Sequence, residues 1–406
     1  MEGIRRLTLI TLCAGLLSAC AGTPAPTAEA PSAEDAVVAE LAGRFQQTRT
    51  GEDILKWTPA QRRVGFAHID EIYPVHRLPA SDTPYPLPQA PVDLSGVTYT
   101  VEDETHSLGD FLALPDSIGL LVVQDGQVIF EDYAEGNGPD TPWMSFSVTK
   151  SVTSMLVGAA IQDGYIGSVD DAVTDYLPQL KGTGYDKVSI ADALQMASGI
   201  AWNEDYRDPE SDVAKAGGAN GIRLYRHLAG LGWNSEPGTA FNYNTGETNL
   251  VGAVLRAAIG NNASSYLERK IWQPFGMGSD AFWVVTPDTD AELGGCCLNA
   301  TLRDYARIGL FAMADGVLPD GTRVLPEGWM AQSTTSSSAY DRYGYLWWLG
   351  RDDAFSARGI FGQVIFIDPA SNLVIAMHGN ADNASGSRYS DHVQGVIGGI
   401  RRALAD

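Results

Sequence analysis

The apolar and polar positions of this chain repeat with different periods in different stretches. SIGLLVVQDGQVIFEDY (117–133) is two β-type runs around Asp125-Gly126. That dipeptide tolerates the positive φ angles of a two-residue turn, so the pattern predicts a hairpin. The period then lengthens to that of a helix. Val148, Val152, Met155, Leu156 and Ala159 share one face after Ser147, and the pattern stops at Asp163-Gly164, which predicts a helix beginning near Ser147. Other helix starts are expected at Ser168, with Asp171 three residues on, and at Ser189, whose helix would end at Gly199. Residues 246–259 would form one ending at Gly260. Thr301 is expected to cap a helix to about Ala314. YGYLWWLG (343–350), GQVIFID (362–368) and NLVIAMH (372–378) then read as three strands, the last two joined at 368–371, and Ser390 opens a closing helix. Strands near both chain ends with helices between them predict an α+β fold. One antiparallel sheet would be built from residues of about 95–146 and 295–406, with a mainly helical region of about 147–294 inserted.

The N-terminal stretch follows other rules. Arg5 and Arg6, an apolar run from Leu7 to Leu17 and the small residues Ser18 and Ala19 predict a cleaved signal peptide over 1–19, too short for a membrane span. Leu17-Ser18-Ala19-Cys20 resembles the lipobox of bacterial lipoproteins, which implies a lipid on Cys20 and a membrane-anchored periplasmic or cell-surface protein. The Ala/Pro/Thr-rich residues that follow predict a flexible tether over 20–36, with the folded domain at 37–406 and an alanine-rich helix opening near Ser32. Residues 74–91 hold six prolines and are expected to run extended across a surface.

Composition narrows the function. With 44% apolar and 19% charged residues, 406 residues bury an ample core. The formal net charge is −23, and cleavage would remove Glu2, Arg5 and Arg6 to leave −24. Such a balance argues against nucleic acid, whose phosphates reward basic surfaces. Cys13 would leave with the signal and Cys20 would carry lipid, so Cys296 and Cys297 remain. A disulfide between neighbours is a strained arrangement, and the two read instead as small buried residues after Gly294-Gly295.

The candidate chemistry lies in SFSVTKS (145–151). Ser147 stands in the first turn of its predicted helix, where free backbone N–H groups and the helix dipole favour negative charge. Lys150, three residues on, shares its face; buried, it would have a lowered pKa and could share a proton with the serine. Ser-x-x-Lys alone is a weak motif, and the bland alternative is a capping serine beside a solvated lysine.

SFSVTKS resembles the Ser-x-x-Lys motif of serine β-lactamases, specifically the version in class C β-lactamases, family VIII carboxylesterases and 6-aminohexanoate-dimer hydrolases. The resemblance runs from about Trp57 to the C-terminus and implies the β-lactamase/transpeptidase-like fold. EPGTAFNYNTGETNLVG (236–252) is similar to the family's Tyr-x-Asn region, and Tyr243 is implied as the proton relay. Ala357-Arg358-Gly359 takes the place of the strand motif, and the resemblance implies an oxyanion hole from the backbone N–H groups of Ser147 and Ile360. WNEDYRDPESD (202–212) and YGYLWW look like the aminohexanoate-hydrolase branch, which makes Tyr206 the candidate contact to a substrate amide. Two departures stand out. Thr245 replaces an expected asparagine, and no lysine occupies the strand motif, where lactamases hold the β-lactam carboxylate. Arg358 would supply that charge only if its side chain faces the cleft.

Other chemistries lack their motifs: there is no Gly-x-Ser-x-Gly, His-Glu-x-x-His or phosphate-binding glycine loop. His378, at a strand end, reads as structural. The expectation is a serine hydrolase acting on small amides or esters through an acyl-enzyme, with no metal or organic cofactor. A β-lactamase or D,D-peptidase acting on cell-wall chemistry and a non-turnover penicillin-binding-like sensor are the alternatives. The sequence leaves open whether Lys150 or Tyr243 is the base, and leaves the oligomeric state unassigned.

Overall fold

The computed structural model describes residues 32–49, 51–384 and 386–405. The signal peptide, Cys20 and most of the expected tether lie outside these residues. The first described helix, Ala33–Thr48, starts inside the stretch assigned to the tether. It is closed at its N-terminus by Ser32 and Asp35, each bonding the other's backbone N–H.

Six antiparallel strands form the main sheet. Their spatial order is Trp348–Leu349, Phe355–Arg358, Val364–Asp368, Leu373–Gly379, Ser117–Gln124 and Gln127–Tyr133. The two ends of the chain do build one sheet. The predicted hairpin closes at Asp125 (φ 50°) and Gly126 (φ 75°), the positive-φ pair that such a turn needs. The central strands read as continuous apolar runs because both faces are covered. In Leu373–Gly379, Val374 and Ala376 enter one core with the helix Leu302–Met313, while Leu373, Ile375 and Met377 enter another with the closing helix Arg388–Ala405.

The helical region lies where expected, with altered boundaries. Val148–Gln162 is buried from Val148 to Ala160 on every side, where the sequence pattern had shown one apolar face. Thr245–Ile259 ends at Gly260 in the left-handed conformation. No helix starts at Ser168. The Asp171 carboxylate accepts the N–H groups of Gly167 and Ser168 and the Tyr176 hydroxyl, which makes a turn, and only Val173–Tyr176 becomes helical. The Ser189 helix stops at Leu194, short of Gly199, because Met196 turns left-handed (φ 55°) and its carbonyl accepts the Asn242 N–H.

Two β assignments also change. In YGYLWWLG only Trp348–Leu349 is a strand, since the N–H groups of Tyr345 and Leu346 are spent on the carbonyls of Ser333 and Leu194. The proline-rich stretch contributes Val75–Leu78 to a second sheet, with Ala281–Thr286, Leu298–Thr301, Pro142–Met144 and Ala291–Glu292. This smaller sheet delivers the chain to Ser147 on one side and to Gly295–Cys297 on the other.

Candidate active site

The chain leaves the strand Pro142–Met144 and enters the serine helix within three residues. Ser145 N–H donates to the Leu298 carbonyl at 3.2 Å. Phe146 then takes φ 47°, uncommon for a residue with a bulky side chain. Its ring is held edge-on between Phe66 (5.0 Å) and Phe361 (4.9 Å). Ser147 occupies the N-cap position, but its hydroxyl makes no capping bond to the helix. A serine buried at a helix entrance and excused from capping argues against the bland alternative.

Lys150 lies one turn deeper, 1% exposed. Its ammonium donates to Thr245 Oγ1 (3.0 Å) and to the Gly295 carbonyl (2.9 Å), and stands 5.3 Å from the centre of the Tyr243 ring. Burial pulls its pKa down to about 8, against an opposing pull from the negative charge of Glu204. Thr245 therefore serves as a partner of the lysine in the place where an asparagine was expected.

Sequence reasoning missed Glu204. Its carboxylate accepts from Tyr206 OH (2.6 Å), Thr245 N–H (3.0 Å), the Thr245 hydroxyl and Trp202 Nε1. The i, i+2 spacing of Trp202, Glu204 and Tyr206 was the available signal. Because Thr245 gives its proton to Glu204, its oxygen is free to accept from Lys150. Tyr206 likewise spends its proton on Glu204 and keeps lone pairs for a donor such as a substrate amide N–H.

Tyr243 follows the Pro237-Gly238 turn and immediately precedes Asn244, whose side chain caps the next helix by accepting Glu247 N–H at 2.9 Å. The Tyr243 ring stacks on Trp348 (5.8 Å between centres). Burial raises its phenol pKa, and a hydrogen bond with the Ser147 side chain pulls in the opposite direction. The Arg358 guanidinium stands 5.7 Å from the centre of the Trp348 ring, on the aromatic group that includes Tyr243, and donates to Ser356 Oγ. Gly359 has a packing role, since a Cβ there would come within 2.5 Å of the Ser145 carbonyl and of Gln363 Oε1. The following residue, Ile360, lines the cavity with Ser147, and among the described residues its N–H donates to no protein group. His378 is buried between Trp143 and Tyr305, and burial lowers its pKa to about 3, which keeps it a neutral core residue.

Ser147, Tyr206, Thr245, Gly295 and Ile360 share one cavity of about 280 Å³. Its remaining walls are mostly apolar, and Cys296 and Cys297 are among them. Here the sequence expectation fails: the two cysteines are joined as a disulfide. Positive φ at Cys297 (83°) and bonds from Trp283 Nε1 to the Cys296 carbonyl and from Val284 N–H to the Cys297 carbonyl hold the turn that accommodates it.

Residues 114–395, well over half the chain, match the Beta-lactamase family model. The chain belongs to the β-lactamase family. Within that family it is 26% identical over 387 residues to the 6-aminohexanoate-dimer hydrolase of Paenarthrobacter ureafaciens, covering 89% of this chain and 96% of that one. A Bacillus anthracis structure assigned to the 6-aminohexanoate-dimer hydrolases superposes with a TM-score of 0.74 at 21% identity, covering 84% of this chain and 93% of the other. A family VIII carboxylesterase gives 0.51 at 18% identity, with 70% and 92% covered. This β-lactamase-family chain is a hydrolase with the β-lactamase/transpeptidase-like fold.

Proposed function

We propose that the protein cleaves small amides or esters through an acyl-enzyme on Ser147. The observation that carries this reading is the buried Lys150, with its pKa lowered to about 8 and its ammonium held between Thr245 and the Gly295 carbonyl one turn below a serine with no capping duty. In its neutral form Lys150, acting together with Tyr243, takes the Ser147 proton as Oγ attacks the carbonyl. The backbone N–H groups of Ser147 and Ile360 receive the oxyanion, and Tyr243 returns the proton to the departing nitrogen or oxygen. Water then hydrolyses the acyl-enzyme along the same proton path. The absence of a lysine from the strand motif Ala357-Arg358-Gly359 supports linear amides or esters over β-lactams. The similarity to 6-aminohexanoate-dimer hydrolases and the family VIII carboxylesterase fold points the same way.

Incubation with a p-nitrophenyl ester and with a linear ω-amino amide, followed by rate and intact-mass measurements, tests this. Turnover of either substrate is expected, and Ser147→Ala should lower it by about a thousandfold or more. A long-lived β-lactam adduct without turnover of either would overturn the reading in favour of the sensor. We also propose that the protein is exported, which the disulfide supports, since such bonds persist outside the reducing cytosol, and that it is anchored as a lipoprotein through Cys20. Cys20→Ala should move it from the membrane to the soluble fraction, and unchanged partition would refute the anchor.

A further inference from the structure

The Cys296–Cys297 disulfide takes no part in the proton path, yet it forms part of the wall of the cavity that Ser147 opens into. Around it stand Met144, Phe146, Val213, Val284 and Leu293, while the lining also holds three charged residues, the exposed Lys56 and Arg207 and the half-buried Asp208. Apolar walls next to a nucleophile suit an apolar chain segment. Tyr243 is not part of this lining; it packs against Trp348 and Tyr343. If Tyr243 protonates the leaving group, the group seated in the cavity is the acyl chain.

The disulfide is placed to define the shape of that seat. Cys296 is half-buried and Cys297 buried, and Cys296 N–H donates to the Leu293 carbonyl at 3.2 Å. The preceding Gly295 carbonyl is the one that accepts from Lys150, and Gly295 N–H is held by Asn249 Oδ1 at 2.9 Å. Joined sulfurs have no free side-chain rotors and present one polarizable apolar ledge. Separate thiols would regain rotation about Cα–Cβ and could turn into the cavity.

We propose that the Cys296–Cys297 disulfide is the specificity-determining wall of an acyl pocket that takes aliphatic acyl chains. This rests on the hydrolase reading above and names the substrate class for it.

A p-nitrophenyl ester series from acetate to octanoate keeps the leaving group constant. The native enzyme should show kcat/KM rising with acyl length to a maximum. Treatment with a trialkylphosphine tests the ledge: the phosphine gives two electrons and becomes its oxide with oxygen from water, while the S–S bond breaks and each sulfur takes a proton. The ratio of kcat/KM at the preferred length to that for acetate should fall about tenfold on reduction and in the Cys296→Ser/Cys297→Ser variant. The two routes guard against a variant that does not fold. Peptide mass analysis of the native protein should show the adjacent cysteines two hydrogens lighter than after reduction; free thiols in the native protein would overturn the inference. A ratio unmoved by both treatments would overturn it while leaving the hydrolase reading intact, as would a length preference found only along a series of alkyl acetates. Absence of turnover with every ester and amide, in contrast, would overturn the hydrolase reading itself.

Discussion

At the scale of single residues, the site is a contest over one proton on Lys150. Burial favours the neutral amine and Glu204 favours the ammonium; burial is the larger effect, so the pKa falls to about 8. The neutral base is populated as pH rises through that value. The acid limb of kcat/KM should therefore rise with pH and level off above about 8, because kcat/KM reports the free enzyme. Glu204→Gln removes the opposing charge, which should move this limb to lower pH, and it mismatches the four donors now accepted by the carboxylate, which should lower kcat. A pH–rate profile of both proteins checks this, and a limb unmoved by the substitution would mean that Glu204 acts only through packing. The departure at Thr245 now has a physical reason. A threonine can accept from lysine while donating to a carboxylate, a pairing that works only because Glu204 is present.

Whole elements place these residues within reach of one another, and here close packing of backbone decides. The turn after Phe355–Arg358 approaches the serine entrance so tightly that Gly359 has no room for a methyl group. Gly359→Ala should cost about 1–3 kcal/mol of stability and lower kcat by displacing Ser145 or Ile360. Gly138→Ala, where a Cβ meets nothing within 4 Å, should leave both unchanged. Urea denaturation and steady-state kinetics separate these outcomes. The same dependence on distant backbone explains what the sequence could and could not reveal. The Asp125-Gly126 hairpin, the helix after Ser147 and the stop at Gly260 were legible because local chemistry sets them. The Ser168 start failed because its signals, a serine and an acid three residues on, also make a capped turn, and tertiary contacts chose the turn. YGYLWWLG failed because its N–H groups find partners in the helical region. A family motif suggested Ser147, Lys150 and Tyr243, which the fold brings together; Glu204 and the disulfide had no such motif, since Glu204 meets Thr245 only across the fold.

For the whole molecule, the question is what joins the N-terminal segment to the body of the fold. Arg62, 3% exposed, is one buried connection, beside backbone bonds such as Met144 N–H to the Phe66 carbonyl at 3.1 Å. Its guanidinium donates to the Trp57 carbonyl (2.7 Å), Asn380 Oδ1 (3.0 Å) and the Ala381 carbonyl (2.8 Å), and lies 4.6 Å from the centre of the Phe361 ring. Asn380 completes the clasp by donating to the Pro59 carbonyl at 3.0 Å. One side chain thus ties the first helices to the end of a central strand and to the residue after Ile360. The segment it holds supplies Ile54, Leu55 and Tyr73 to the cavity wall. Arg62→Ala removes the donor from Asn380 Oδ1 and the Ala381 carbonyl, at about 1–3 kcal/mol each, so a loss of about 2 kcal/mol or more is expected as a lower urea midpoint. Lysine cannot span these acceptors as the planar fork does, so Arg62→Lys should recover only part of the loss. If the clasp also shapes the cavity, KM for cavity-filling substrates should rise more in Arg62→Ala than kcat falls, under conditions where the variant remains folded. Equal midpoints for wild type and Arg62→Ala would show that the N-terminal segment is held by its other contacts.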